Sequence, residues 1–168
     1  STQHGLSELG RAAIPKLEQA GILLDVSHLN DPGFTQMLDV ASRPFVASHS
    51  NARSVCGHPR NLADWQIREM ISRRCLIGLN YCIDFLQEDG KPELEDLLRH
   101  IDHFLELGGE DWLALGSDFD GADLPEFLRG PERVVSVYDR LLERGYSRQL
   151  CDKLFCQNAM RFFEENLT

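Results

Sequence analysis

The side chains best able to bind a metal or carry a proton sit at the ends of apolar runs. Residues 22–28 (ILLDVSH) end in His28, residues 45–50 (FVASHS) carry His49, residues 76–81 (LIGLNY) close on Asn80 and Tyr81, and residues 112–118 (WLALGSD) finish at Asp118. Two imidazoles and a carboxylate are the donor types of a hydrolytic metal centre. Neighbouring strands lie about 4.8 Å apart, so histidines at similar heights on adjacent strands can share one ion. A single histidine at a strand end has an ordinary structural role open to it as a hydrogen-bonded group. Two of them with an acid, all at strand ends, put the metal reading level with the structural one.

Other candidates are weaker. Arg60 stands in the polar loop His58-Pro59-Arg60-Asn61, where a guanidinium can fork onto a substrate carboxylate or simply face water. His100-Ile101-Asp102 spells the metal-binding spacing H-x-D, but it falls inside a strongly periodic helix, where a solvated or helix-pairing role is expected. His103 shares that helix and His4 lies near the start, and neither takes a role. Cys56 and His58 are close in sequence but lack a second orienting group for nucleophilic catalysis. Asp120 and Gly121 read as turn-formers. No H-E-x-x-H, G-x-S-x-G, G-x-G-x-x-G or P-loop string occurs.

The elements that must position these groups follow from the pattern. Each of the four runs is almost wholly apolar, as a parallel strand buried on both faces should be. Helical periodicity fills the gaps. Residues 7–20 have Ser7 as N-cap and Gly21 beyond the end. A second helix starts at Asp31-Pro32 and fades before Pro44. A third begins at Asp64, with Trp65, Ile67, Met70 and Ile71 as its apolar residues. A fourth runs from Pro92 with a stripe of Leu94, Leu97, Leu98, Ile101 and Leu105 and stops at Gly108-Gly109. Further helices are expected over residues 132–143 and 147–165, the latter capped by Ser147. This alternation predicts an α/β fold of parallel βα units, with ligands bound where the strands' C-terminal ends converge.

Composition narrows the function. The 168 residues carry 17 Lys and Arg against 27 Asp and Glu, a net charge of −10. So acidic a chain is a poor partner for nucleic acid or an anionic membrane. The longest nearly apolar run, residues 76–86, falls far short of the ~20 residues a membrane helix needs. Residues 1–10 show neither a basic start nor an apolar stretch, so no signal peptide is expected. Five cysteines without a C-x-x-C pair read as buried free thiols in a reducing, cytoplasmic setting.

Four strings, GILLDVSHLND, SRPFVASHSNARSVCGHPRNLAD, LALGSDFDG and QNAMRFF, occur in order along nearly the whole chain. Together they resemble the membrane (renal) dipeptidase family of zinc metallopeptidases, in the amidohydrolase superfamily. The resemblance implies a (β/α)₈ TIM barrel and a zinc-dependent dipeptidase that cleaves its substrate with a metal-activated water. It implies that His28 and His49 are ligands of the second of two zinc ions. By the same resemblance Arg60 grips the substrate carboxylate, and Asp118 is the proton carrier beside the bridging water and the substrate's amino end.

The family's first-strand H-x-D, its bridging glutamate and a further histidine have no counterpart in these residues. Phe85 stands about where the family has an aromatic hydroxyl, and Cys156-Gln157 where glycines are common. A (β/α)₈ barrel takes about 250 residues, so residues 1–168 are expected to form one domain, the C-terminal half of such a barrel with about four βα units. Such a half supplies at most part of one zinc site. Three arrangements are open to it: a fragment of a longer polypeptide, a half that pairs with an N-terminal half-barrel, or a half that forms a homo-oligomer with copies of itself. The alternative is a non-catalytic or single-metal half-barrel that serves as an assembly module, and a further option is another amidohydrolase reaction on the same barrel.

Overall fold

The structure, a computed structural model, describes residues 4–167. The chain runs α1 (Glu8–Gln19), α2 (Asp31–Val40), β1 (Val46–Ala47), α3 (Asp64–Ser72), β2 (Leu76–Asn80), α4 (Ile83–Leu86), α5 (Leu94–Glu106), β3 (Leu113–Ser117), α6 (Val135–Glu143), α7 (Arg148–Asp152) and α8 (Asn158–Asn166). Short 3₁₀ turns at Glu126–Leu128 and Pro131–Arg133 precede α6, and a π-helical turn, Lys153–Gln157, joins α7 to α8.

Local chemistry sets the boundaries. The Ser7 hydroxyl accepts from the amide of Gly10, and Ser147 accepts likewise from Leu150, so both hydroxyls satisfy otherwise orphaned amides at helix starts. Beyond Ala20, the C-cap of α1, Gly21 has φ +74, a left-handed conformation that costs glycine little. Helix α2 starts from Asn30, whose side chain accepts from Gly33, with proline in the first turn.

The sheet is parallel, in the order β1–β2–β3, with Val46 opposite Leu76 and Ile77 opposite Leu113. The run at 22–28, expected as a full strand, makes only a single parallel bridge between Asp25 and Val46. Its backbone bonds to β1 are Val26 N–H to Val46 carbonyl, 2.8 Å, and Val46 N–H to Leu24 carbonyl, 2.9 Å. Beyond Val26 the chain turns, with the Leu29 amide bonded back to the Val26 carbonyl, so the ladder ends before a strand is built.

Alternation along the strands feeds two apolar layers. Ala47, Ile77, Leu79 and Leu113 join the main core with Phe34, Ile67, Met70, Leu97, Leu98 and Phe104. Val46, Leu76 and Ala114 pack instead on Phe162 of α8. The sheet is thus covered on both faces, as wholly apolar strands require. Trp65, grouped by periodicity with the apolar stripe of α3, is half-exposed and meets Phe34 edge-on at 5.6 Å. All five cysteines are free, but only Cys56, Cys75 and Cys151 are buried; Cys82 is intermediate and Cys156 exposed, against the expectation for the set. Among the described residues no helix is long and apolar enough to cross a membrane.

Candidate active site

The C-terminal ends of the parallel segments bring His28 and His49 together. Their Nε2 atoms lie 3.0 Å apart and their ring planes are 64° to one another. Two nitrogens each ~2.05 Å from a tetrahedral zinc would lie roughly 3.3 Å apart, so this pair of donors fits a shared ion. Among the described residues, no group of three or more His, Cys, Asp or Glu side chains is placed to hold a metal. Asp118 therefore does not complete a ligand set with the two histidines.

The support beneath the histidines is a hydrogen-bonded network that sequence reasoning left without a role. The carboxylate of Asp25 accepts from the Ser27 amide (3.0 Å), the Ser27 hydroxyl (2.9 Å), the Ser48 amide (3.1 Å) and the Ser48 hydroxyl. Desolvation pushes the Asp25 carboxyl up. The bonds from Ser48 and Ser27 outweigh it and hold the group below its ordinary range. The Ser48 hydroxyl lies 2.7 Å from His49 Nδ1, and the Ser27 hydroxyl accepts from the His49 amide at 3.0 Å. The one available signal was a charged residue inside an otherwise apolar run.

Asp118 sits where β3 leaves the sheet. The register slips between Leu79 and Asn80, so that Asn80 faces Ser117. Such a bulge re-aims the residues that follow it. Ser117 and Asp118 then take φ +45 and +71, unusual for non-glycine residues. Asn80 fastens the result: its Nδ2 donates to Asp118 Oδ2 at 3.1 Å, and its backbone exchanges bonds with the Asn51 side chain at 3.0 Å. Asp120, at φ +64, and Gly121 form the turn expected of them.

Arg60 approaches from the loop after β1. Its Nε donates to the Ser27 carbonyl at 3.1 Å, and its guanidinium lies 5.4 Å from the Phe85 ring centre. One bond and one aromatic face orient the fork and leave donors over for a ligand. Arg60 and His28 border a cleft of about 390 Å³ that also reaches Leu6, Leu29 and Pro59. Desolvation lowers the His28 pKa, Arg60 and His49 lower it further, and Asp118 and Asp25 oppose them.

The remaining candidates fall to structural roles. His100 is fully buried rather than solvated: its Nδ1 accepts from the Ala52 amide and its Nε2 faces the Leu86 carbonyl, both at 3.2 Å. Asp102 pairs with Arg144, and His103 with Asp64. The Cys56 thiol bonds to the Asp84 carbonyl and is pushed up by burial, so it is no activated partner of His58.

The family model described as membrane dipeptidase (peptidase family M19) matches residues 1–168. An uncharacterized protein in the pqqA 5′ region of Klebsiella pneumoniae is 37% identical over 164 residues, 95% of this chain and 60% of that protein. Dipeptidase tcpJ of Claviceps purpurea (strain 20.1) is 32% identical over 168 residues, 96% of this chain and 39% of the relative. A solved metallo peptidase from Rhodobacter sphaeroides, liganded with a phosphinate mimic of the dipeptide L-Ala-D-Ala, is 36% identical. It superposes with a TM-score of 0.92 over 97% of this chain and 48% of its own. The chain spans about half the length of the relatives it matches.

Proposed function

Since the chain belongs to the membrane dipeptidase family, peptidase family M19, we propose that it carries part of the site of a zinc-dependent dipeptidase. The observation that carries this reading is the meeting of His28 and His49, Nε2 to Nε2 at 3.0 Å, at the C-terminal ends of parallel segments. His28 and His49 would hold the ion. Bound there, a metal supplies a water of lowered pKa and polarises the scissile carbonyl.

The chain's own groups divide the remaining tasks. Arg60, held by Ser27 and Phe85, binds the substrate's terminal carboxylate as a charge-assisted fork. Asp118, oriented through Asn80, stands as the carboxylate that takes a proton and delivers it to the leaving amine. A dipeptide such as L-Ala-D-Ala, whose mimic the Rhodobacter relative binds, offers a carboxylate for Arg60 and a leaving amine for Asp118. The shares of the relatives that are covered support reading these residues as about four βα units of a larger barrel, whose other units would bring the further ligands.

A second reading is favoured by one observation, that no third metal-capable side chain among the described residues joins the two histidines. On that reading the chain is a single-metal or non-catalytic half-barrel that works as an assembly module. Zinc content and dipeptide hydrolysis by the full polypeptide carrying these residues, with and without a chelator, test the first reading. Bound zinc and chelator-sensitive hydrolysis are expected, and a metal-free, inert protein overturns it. Turnover by the purified 168-residue chain alone would remove the second.

A further inference from the structure

The Ser48 hydroxyl has one hydrogen, and the geometry gives it to Asp25, whose carboxylate already accepts from the amides of Ser27 and Ser48. With that hydrogen committed, the 2.7 Å contact between Ser48 Oγ and His49 Nδ1 needs the imidazole as donor. We infer that Asp25, acting through Ser48, is a positioning residue that fixes His49 as the Nδ1–H tautomer and leaves its Nε2 lone pair bare. The relay runs Asp25 carboxylate, Ser48 hydroxyl, His49 Nδ1–H, with each hydrogen pointing towards the acid. At the far end the 3.0 Å contact is satisfied when His28 donates its Nε2–H to the bare His49 Nε2. The two histidines of the metal-free chain are therefore opposite tautomers.

The rest of the site fits this direction of bonding. The Ser27 hydroxyl gives its hydrogen to Asp25 Oδ1 and accepts from the His49 amide, so it holds the ring's backbone without competing for Nδ1. Ser27 and Ser48 oxygens are 3.4 Å apart, a long contact beside the 2.7 Å one to the ring. That the bare nitrogen then serves a metal rests on the function proposed above, since outer partners of this kind fix the tautomer of a ligating histidine.

Asp25→Asn reverses the relay. The amide donates to the Ser48 oxygen, the Ser48 hydroxyl turns its hydrogen to Nδ1, and His49 is driven to Nε2–H. Two-bond ¹H–¹⁵N spectra of the imidazoles in the metal-free 168-residue chain, at a pH where they are neutral, read this directly. Expected are mainly Nδ1–H at His49 in the parent, mainly Nε2–H in Asp25→Asn, and a mixture in Ser48→Ala. Either an Nε2–H His49 in the parent or an unchanged tautomer in both variants overturns the inference. A calorimetric Zn²⁺ titration separates it from the proposed function. About a 10- to 100-fold loss of affinity in Asp25→Asn supports both. A parent that shows the expected tautomer but takes no Zn²⁺ upholds the relay and shows that His28 and His49 do not hold the ion by themselves.

Discussion

The carbonyl oxygen of Ser48 lies over Gly78 so closely that a Cβ there would stand well inside 3.0 Å of it. The same oxygen crowds Gly116 on the next strand, and the two glycines' backbones face each other beneath it. Side-chain-free positions on β2 and β3 therefore let the segment carrying Ser48 and His49 settle onto the sheet.

Gly78→Ala must push that segment away. A loss of about 1–3 kcal/mol is expected from the clash, with the His49 ring displaced from His28. Urea unfolding and the imidazole spectra check both. A change within about 0.5 kcal/mol would show that the close approach is not real.

His49→Ala removes one of the two facing nitrogens. In the full polypeptide carrying these residues, zinc affinity and turnover should fall together, the first by about 100-fold and the second to background, because the ion loses one of its few protein ligands. Metal analysis alongside dipeptide hydrolysis tests the coupling, and retained zinc with lost turnover would assign His49 another task.

Arg60→Ala should separate binding from metal. A charged hydrogen bond is worth about 1.5–3 kcal/mol, so KM should rise roughly 10- to 100-fold while zinc stays bound. Steady-state kinetics on a dipeptide decide it, and unchanged constants would refute the carboxylate contact.

Much of this arrangement is readable from the residues. Ser7, Gly21, Pro32 and Ser147 mark helix ends because capping is a local matter of one side chain and a few amides. His28 and His49 could be paired in advance because adjacent parallel segments end at similar heights. What escaped depends on distant partners. Asp25 looks like an interruption in an apolar run until Ser48, 23 residues on, meets it. His100 lies on the apolar face of α5, and nothing nearby in sequence shows that Ala52 and Leu86 will supply its bonds. The shortness of the first strand is likewise a tertiary outcome.

Stability should carry the mark of His100. Burial lowers its pKa to about 4 from an ordinary 6.5, offset in part by its bond to the Leu86 carbonyl. Between those values the unfolded chain takes up a proton that the folded one refuses. The contribution is therefore whole above pH 6.5 and drains away as pH falls towards 4, by on the order of 3 kcal/mol. Denaturant unfolding across that range should show the decline, and His100→Gln should flatten it. An equal slope in both proteins would exclude His100 as the source.

The π-helical turn at Lys153–Gln157 makes the tail of this chain sensitive to length as well as to composition. Each residue advances a helix by about 100°, so the wide turn sets the phase in which α8 arrives at the sheet. In that phase the Asn158 amide donates to the carbonyls of Glu110 and Leu113, and Phe162 is fully buried. Deleting one residue between 153 and 157 would rotate both off their partners while leaving every one of their own atoms intact. Homologous chains should therefore trade residue types through this stretch far more readily than they gain or lose a position.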